Sequence, residues 1–364
     1  AAMFAFSLGF QMTSRYVPRY MSVLGAGAVA IGLFGTFGNL IGAVYPYPGG
    51  ALSDRIGSRV ALTLFGLAST LGFVVWLFAE AFGVVAVPPV GTTVELLGRE
   101  VVVGWLEPAS IPVGIFLGLV LAQAWKSFGL GATFAVVKQA LDPDQLATGF
   151  ASTETFRRTA FLLGPLFAAG VLSAFAFETG FRVLLAVAAA FGLGATLAQH
   201  VLYDAGEDSL GKSFEGVSTV LEDLRAMPPA LRPLLAADTL VRFANGMVYV
   251  FFVIVVTEFL AVGVRLPVVG RLSPDAYFGV LLAIEMLVAL AVMVPASRLS
   301  RRVGLKPVVA LGFAVYAVFP VLLINAPENA AVLAALFAFS GLRFAGLPAH
   351  KALIVGPAEA GTGG

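Results

Sequence analysis

The chain has 364 residues, of which 59% are hydrophobic and 12% are charged, and its formal net charge is +1. Soluble domains usually have about a quarter of their residues charged, so this composition excludes an ordinary water-soluble protein. It predicts a membrane protein, whose apolar surface is covered by lipid. A net charge so close to zero gives no basis for binding nucleic acid, and the absence of cysteine excludes disulfides and thiol catalysis.

Apolar stretches of the length that crosses a bilayer, roughly 17–25 residues, follow one another along the chain. Residues 4–12 have the pattern of the end of one such span, and nine more follow. These are residues 26–53, 60–79, 108–137, 159–177, 183–199, 232–260, 276–296, 307–324 and 330–354. We therefore predict an all-α, multi-pass protein of the cell membrane with ten spans, the first of them partial.

Two polar loops interrupt this series. Residues 92–97 and 100–105 are β-prone runs on either side of Gly98-Arg99, which predicts a hairpin within an insertion near 84–107. Cytoplasmic loops of membrane proteins carry an excess of lysine and arginine. The loops on the side of this insertion contain six of these residues and the loops on the opposite side contain twelve, so the insertion is predicted to lie on the outer side. The acidic segment 204–231 is predicted to be a cytoplasmic linker with a short surface helix, joining an N-terminal half, 1–203, to a C-terminal half, 232–364.

The two halves contain related segments. Leucine, serine, arginine, glycine and a final cation occur at equal offsets around Gly57 and Gly304, which are 247 residues apart. Lys126-x-x-Gly-Leu-x-Ala matches Arg343-x-x-Gly-Leu-x-Ala at a separation of 217. The hairpin insertion in the first half accounts for the difference of 30, so we predict parallel six-span repeats. On this arithmetic, about half of span one and spans eleven and twelve are expected to be missing from the chain.

The segment 50–59 reads Gly-x-Leu-Ser-Asp-Arg-x-Gly-x-Arg and resembles the signature loop of the major facilitator superfamily. The resemblance implies two six-helix halves and secondary transport by alternating access. A second segment, Ala160-x-x-x-Gly164-Pro165-x-x-Ala168-Ala169, resembles the antiporter motif of proton-coupled efflux antiporters. In span four, where that group has an arginine and a glutamine, this chain has Trp125 and Phe128, with Lys126 one residue from the arginine position.

The signature loop is predicted to control opening of the cytoplasmic face. Gly57 would permit a tight turn and Gly50 a close approach of two helices. Asp54 would accept hydrogen bonds from arginines or from the N-terminus of a helix. The alternative is a solvated loop that only sets topology. The predicted gating residues are Gly50, Asp54, Arg55, Gly57 and Arg59, with Lys138, Glu154 and Arg157 at the same level.

Glu285 is predicted to be the proton-coupling carboxylate. It has nine uncharged residues before it and twelve after it in its span, and an acid at such a depth is functional by default because ionisation there is costly. The alternative is a protonated glutamate that only stabilises helix packing. Gly164 and Pro165 are predicted to form a helix hinge, because proline removes one backbone hydrogen bond.

Lys126 and Arg343 occupy matching places in spans four and ten. They could bind an anionic substrate or neutralise Glu285, or they could instead extend to the lipid headgroups. The predicted lining of a substrate cavity comprises Lys126, Gln123, Arg242, Asn245, Asn39 and Arg343.

The sequence thus predicts a secondary active transporter, in the first place a proton-coupled efflux antiporter. Proton-coupled uptake of an organic anion or sugar is the alternative, and a transport-inactive receptor or scaffold is the alternative of another class. No phosphate loop, nucleophile elbow or catalytic carboxylate pair is present, so an enzyme is not expected. Nor are a metal site, a cofactor or a nucleic-acid partner. The expected partners of a monomer are a small-molecule substrate, protons and the bilayer.

Overall fold

The computed structural model describes residues 2–88, 90–96, 99–106, 109–128, 146–203, 229, 231–267 and 270–346. The chain divides into two compact units. The first comprises Ala1–Ala160 and Ala174–Ser213, and the second comprises Phe161–Ser173 and Phe214–Gly364. Thus a segment of the fifth predicted span, which sequence places in the first half, groups with the second unit. The predicted helix within the linker 204–231 lies almost wholly outside the described residues.

Apolar helices make up most of the first unit. Their bounds are α1 Ala2–Thr13, α2 Val17–Val23, α3 Ala28–Val44, α4 Pro46–Ile56, α5 Ser58–Leu77, α6 Val113–Gln123 and α8 Phe177–Leu202, with a π-helical segment, Ala124–Phe128, directly after α6. Helix α7, Leu146–Ala174, passes from the first unit to the second.

Helix α5 is at the centre of the first unit and packs against both α6 and α8. The contact with α6 is very close, since a Cβ atom on Gly72 would overlap the backbone nitrogen of Ala122. Small residues permit such approaches between helices in lipid, where packing rather than water exclusion holds helices together. Large aromatic side chains fill the space on either side, among them Phe73 and Trp76, which are almost fully buried.

The second predicted span, 26–53, is a bent pair of helices rather than one straight helix. Helices α3 and α4 meet at Tyr45 and differ in direction by 45°. The bend coincides with Pro46 and Pro48, which lack the N–H groups that would continue the backbone hydrogen bonding of α3.

The predicted hairpin is confirmed and is longer than expected, while its place on the outer side stays a prediction. Strands β2, Val90–Leu96, and β3, Arg99–Leu106, are antiparallel, with Leu96 opposite Arg99 at the turn. Strands β1, Val84–Val87, and β4, Ala109–Pro112, which flank this hairpin along the chain, form a second antiparallel pair.

A second hairpin, β5 Val264–Leu266 with β6 Gly270–Leu272, was not predicted. Its strands of three residues are too short to show an alternating pattern.

The second unit is built from α9 Leu231–Tyr249, α10 Phe252–Ile254 with a π-helical segment Val255–Phe259, α11 Pro274–Val303, α12 Leu305–Ile324 and α13 Ala330–Gly341, followed by a 3₁₀ segment, Leu342–Gly346. Its core contains a row of four rings in edge-to-face contact. Phe252, Phe319, Phe337 and Phe278 follow one another with centroid separations of 5.1, 5.4 and 6.1 Å. These contacts connect α10, α11, α12 and α13.

Within the described residues, five helices are long and apolar enough to cross a membrane, or six if the bent pair α3–α4 is one span. Two shorter apolar helices, Val113–Phe128 and Ala330–Phe344, coincide with the fourth and tenth predicted spans. The prediction of a multi-pass helical membrane protein is confirmed.

The internal repeat is visible in the backbone. Gly57 ends α4 and begins α5 with φ 85° and ψ 149°, and Gly304 joins α11 to α12 with φ 89° and ψ 167°. The charged residue of each matched segment lies in an irregular turn, Lys126 in the π segment after α6 and Arg343 in the 3₁₀ segment after α13. Irregular helical turns of this kind are often found at functional sites.

We expect Gly57→Ala and Gly304→Ala each to cost about 1–3 kcal/mol of stability, since their backbone conformation is essentially restricted to glycine. Gly27→Ala is the matched control. Gly27 also precedes a helix, but its φ is −80° and, in the part of the chain that the structure describes, no atom lies within 4 Å of an added Cβ. Thermal unfolding in detergent measures the difference, and equal melting temperatures for the three variants would contradict the assignment of strain.

Candidate functional site

A buried carboxylate lies in the middle of α11. Glu285 is 4% exposed, and its Oε1 atom accepts a hydrogen bond of 2.5 Å from the Ser340 hydroxyl. The same oxygen lies 2.8 Å from Nη2 of Arg343, forming an ion pair in which the arginine and glutamate side chains are 3% and 5% exposed. One carboxylate oxygen therefore interacts with two donors, the neutral hydroxyl of Ser340 and the charged guanidinium of Arg343.

The close crossing of α11 and α13 brings these groups together. A Cβ atom on Gly341 would lie 2.5 Å from the backbone oxygen of Glu285, so glycine allows the two backbones to touch at that level. Ser340 and Arg343 stand on either side of Gly341 and are three residues apart, a separation that places both on one helix face. The glycine thus determines that both donors reach the carboxylate.

The guanidinium of Arg343 is enclosed by aromatic rings. Its Cζ atom lies 4.9 Å from the ring centroid of Tyr249, 5.1 Å from that of Tyr316 and 4.9 Å from that of Phe344. Such contacts attract a cation electrostatically, and more strongly where water is excluded. The Nε atom of Arg343 is buried without a hydrogen-bond partner among the described residues. Of the alternatives for Arg343, the structure has the one in which it neutralises Glu285, not the one in which it extends to the headgroups.

The burial of this pair makes each of its two charges dependent on the other. A buried ion pair is tolerated because each charge compensates the other, and removal of one partner leaves an uncompensated buried charge. The Glu285–Arg343 pair therefore acts as a charged latch between α11 and the turn that follows α13 within the second unit. Proton coupling at Glu285 stays a prediction.

Lys126 lies in a different environment. Its side chain is exposed, and its Nζ atom lies 5.9 Å from the ring centroid of Phe10. The π segment that carries it is supported by Ser69, whose hydroxyl donates to the oxygen of Ala122 and accepts from the backbone nitrogen of Trp125, both at 2.8 Å. Ser69 thereby replaces backbone hydrogen bonds that the irregular turn interrupts.

The other predicted cavity residues are less completely described. Gln123 is half-buried at the end of α6, and its Oε1 atom has no hydrogen-bond partner within the described part of the chain. Asn39 is exposed on α3. For Arg242 and Asn245 in α9 the structure describes the backbone but not the side chains. Their place in a cavity stays a prediction.

The signature loop has the predicted turn at Gly57. Asp54 and Arg55 are exposed at the end of α4, and Arg59 is half-buried in the first turn of α5. The hydroxyl oxygens of Ser53 and Ser58 lie 3.3 Å apart across the turn. The gating role of this loop stays a prediction.

The expected close approach at Gly50 was wrong by one residue. Among the described residues, no atom lies within 4 Å of a Cβ added to Gly50, whereas a Cβ on Gly49 would overlap the Cα atom of Phe128. The register of α4 turns Gly49, not Gly50, towards the π segment. Tyr45 strengthens the same contact, since its ring stacks on Phe128 at 3.9 Å.

The remaining predicted residues involve α7 or the segment before it. Lys138 lies outside the described residues, the side chain of Glu154 is not described, and Arg157 is half-buried. Gly164 and Pro165 are buried, and α7 continues through Pro165 as a single helix of 29 residues. A hinge at this point stays a prediction.

Sequence reasoning missed several partners. Ser340 could have been found from its position three residues before Arg343, but nothing in the sequence connects Tyr249 or Tyr316 to that arginine. Two contacts between distant segments were also missed. Thr63 and His200 lie 2.9 Å apart between α5 and α8, and Glu80 pairs with Arg182.

We expect Glu285→Gln and Arg343→Met each to destabilise the protein by about 3–5 kcal/mol, because either change leaves one buried charge uncompensated. The double variant, which has neither charge, should be more stable than both single variants. Thermal unfolding of the four proteins measures the coupling, and additive effects would show that the two groups do not interact.

The corrected helix contact gives a second expectation. Gly49→Ala should cost about 1–3 kcal/mol through overpacking against the Phe128 backbone. Gly50→Ala, one residue away on the open side of α4, is the control and should stay within about 0.5 kcal/mol of the parent. A larger loss for Gly50→Ala, in the same unfolding measurement, would restore the sequence-based assignment.

No family model matches the chain, and no curated protein sequence does. Solved structures do match. A nucleoside transporter, NupG in a mutant form, is 15% identical, with a TM-score of 0.66, covering 97% of this chain and 81% of its own. A POT family transporter in complex with 5-aminolevulinic acid is 13% identical, with a TM-score of 0.70 and coverages of 97% and 82%.

A D-xylose–proton symporter is 15% identical, with a TM-score of 0.60 and coverages of 97% and 84%. At such identities the likeness concerns the fold alone. It agrees with the fold that the signature loop implies, and the predicted fold is confirmed: the chain has the helical fold of the major facilitator superfamily.

Proposed function

We propose that the protein is a secondary active transporter that moves a small solute by alternating access and couples the movement to protons. The observation that carries the proposal is the Glu285–Arg343 pair, which is buried and whose acid lies in a helix of membrane-spanning length. Charges in that position are expensive and typically belong to ion or substrate pathways. The similar structures, whose names include a proton symporter, support the same function.

Glu285 is the proposed site of proton coupling. In the paired state Arg343 and Ser340 stabilise the ionised carboxylate. Protonation would release Arg343, and the latch between α11 and α13 would open. A solute anion or another acceptor could then compensate the arginine, and loss of the proton would restore the pair. Proton binding and conformational change are linked in this scheme because the two states of Glu285 favour different helix contacts.

Export by proton antiport is the direction favoured by the motif around Gly164 and Pro165. Both residues are buried in α7, and a proline within a packed helix leaves a backbone carbonyl without its usual donor, which permits local bending. A helix that bends there could alternate between two arrangements without unfolding.

Proton-coupled uptake of an organic anion or sugar is the second candidate. It is favoured by the exposed ammonium of Lys126, a cation available to a solute, and by the likeness to a D-xylose–proton symporter. If neither direction of transport is observed, a transport-inactive receptor or scaffold of the same fold is what remains.

The two directions can be distinguished by the sign of a pH change. The protein is reconstituted into vesicles that contain a pH-sensitive dye, and candidate solutes are added outside. A symporter carries protons inward with the solute and acidifies the lumen, whereas an antiporter exchanges luminal protons for solute and makes the lumen alkaline. Vesicles without protein are the control. No pH change across a broad solute panel would contradict proton-coupled transport.

Glu285→Gln should abolish accumulation driven by a proton gradient but leave solute exchange largely intact, because glutamine keeps the size and hydrogen bonding of glutamate but cannot titrate. The variant with both Glu285→Gln and Arg343→Gln removes the uncompensated charge and should show the same loss with better stability. Radiolabelled solute uptake with and without a gradient measures both activities. Unchanged gradient-driven accumulation in the two variants would assign Glu285 to helix packing.

A further inference from the structure

The repeat places a glycine where the second unit has its buried acid. Gly38 and Glu285 each lie 19 residues before the turn glycine of their half, and Pro48 and Pro295 match at the same separation of 247. The two donors of the second unit also have counterparts, since Ser340 and Arg343 match Gln123 and Lys126 at the separation of 217. The first unit therefore has both donor positions but no carboxylate at the position that matches Glu285.

The space in front of Gly38 faces one of these donors. A Cβ atom added to Gly38 would lie 3.9 Å from Nε2 of Gln123 and 3.7 Å from Cδ1 of Leu119, which are ordinary contact distances. Within the described part of the chain, no backbone atom is among the neighbours of that position within 4 Å. The amide nitrogen of Gln123 is thus directed to the place where the side chain of an acid would begin.

The two cations share one kind of contact, an aromatic ring from the first helix of their own unit. Arg343 lies against Tyr249, from the first helix of the second unit, and Lys126 lies 5.9 Å from the ring centroid of Phe10, from the first helix of the first unit. The difference lies in the counter-charge. Arg343 is buried with Glu285, whereas Lys126 is exposed and has no carboxylate partner among the residues that the structure describes.

Two further cations lie within electrostatic reach of Lys126. Arg15 and Arg157 are charged groups that act electrostatically on its ammonium. A cation within a membrane span is costly without an anion nearby, and among the described residues the protein supplies that anion in the second unit only.

We propose that the first unit binds the carboxylate of a small organic acid between Gln123 and Lys126, in the place that the Glu285 carboxylate occupies in the second unit. The amide N–H of Gln123 and the ammonium of Lys126 both donate to it, and the second of these hydrogen bonds is charge-assisted. The inference rests on the proposed function only in taking this acid to be the transported solute. A neutral analogue of the same shape is rejected, because it brings no charge to Lys126.

Gly38→Glu tests whether the site recognises a carboxylate, independently of any solute. The introduced side chain should occupy the site and raise the melting temperature above that of Gly38→Gln, which has the same helix propensity and size but no charge. In a Lys126→Gln background the advantage of glutamate over glutamine should disappear. Equal melting temperatures of the two Gly38 variants in the native background would overturn the proposal.

Benzoate and lactate, each compared with its amide, test the class of ligand. At about a hundredfold excess over the dissociation constant, a carboxylate should raise the melting temperature of the parent protein by about 3–4 °C. Benzamide and lactamide should give no shift, and Gly38→Glu should abolish the effect of both acids. Gly42→Glu, one turn further along α3 in open space, should leave it unchanged. No shift with either acid, or equal shifts with acids and amides, would overturn the assigned class.

These measurements do not depend on transport. If the vesicles show no proton-coupled movement but the Gly38→Glu comparison and the acids behave as expected, the carboxylate site stands and the proposed transport function fails. If transport is observed but Gly38→Glu and Gly38→Gln are equally stable, the transport function stands and the carboxylate site fails.

Discussion

The contact between Glu285 and Arg343 depends on a constraint that applies to the whole protein, namely that lipid cannot solvate a charge. Each group is tolerated within the membrane only because the other compensates it, and because Ser340 and three aromatic rings complete the enclosure. This requires α11 and α13 to touch, which Gly341 permits. The geometry of the second unit around its charged centre follows from that requirement.

The first unit satisfies the same constraint differently. Its close crossing at Gly72 and Ala122 brings α5 against α6, and Ser69 repairs the hydrogen bonding of the irregular turn that follows. The side chain of Lys126 in this turn is exposed, and none of the described acids pairs with it as Glu285 pairs with Arg343. The two repeats thus share a turn geometry and the position of a cation. The second unit has Glu285 as the counter-charge, and the first unit has Gly38 at the matching position. On the two proposals made above, this asymmetry would assign proton coupling to the second unit and ligand binding to the first.

Much of the architecture could be predicted from the sequence because lipid imposes simple requirements on length and polarity. The multi-pass helical fold, the hairpin after α5 and the turn at Gly57 all follow from patterns within a few tens of residues. The bend at Tyr45 was not predicted, although Pro46 and Pro48 indicate it, because an uncharged stretch has the same composition whether it is straight or bent. Gly50 was chosen over Gly49 for a related reason: adjacent glycines are equivalent in sequence, and only the helix register determines which of them faces Phe128.

The sequence by itself determined that Glu285 would be buried and that Lys126 and Arg343 were counterparts, since span length and repeat arithmetic need no coordinates. Tertiary structure alone decided which cation reaches the acid. Arg343 and Glu285 are 58 residues apart along the chain (343 − 285) and come within 2.8 Å because two helices cross at Gly341. The direction of Gln123 Nε2 towards Gly38 was likewise a tertiary fact. The sequence shows which charged side chains lie within membrane spans, where burying a charge costs free energy. Helix packing determines which group compensates each of those charges.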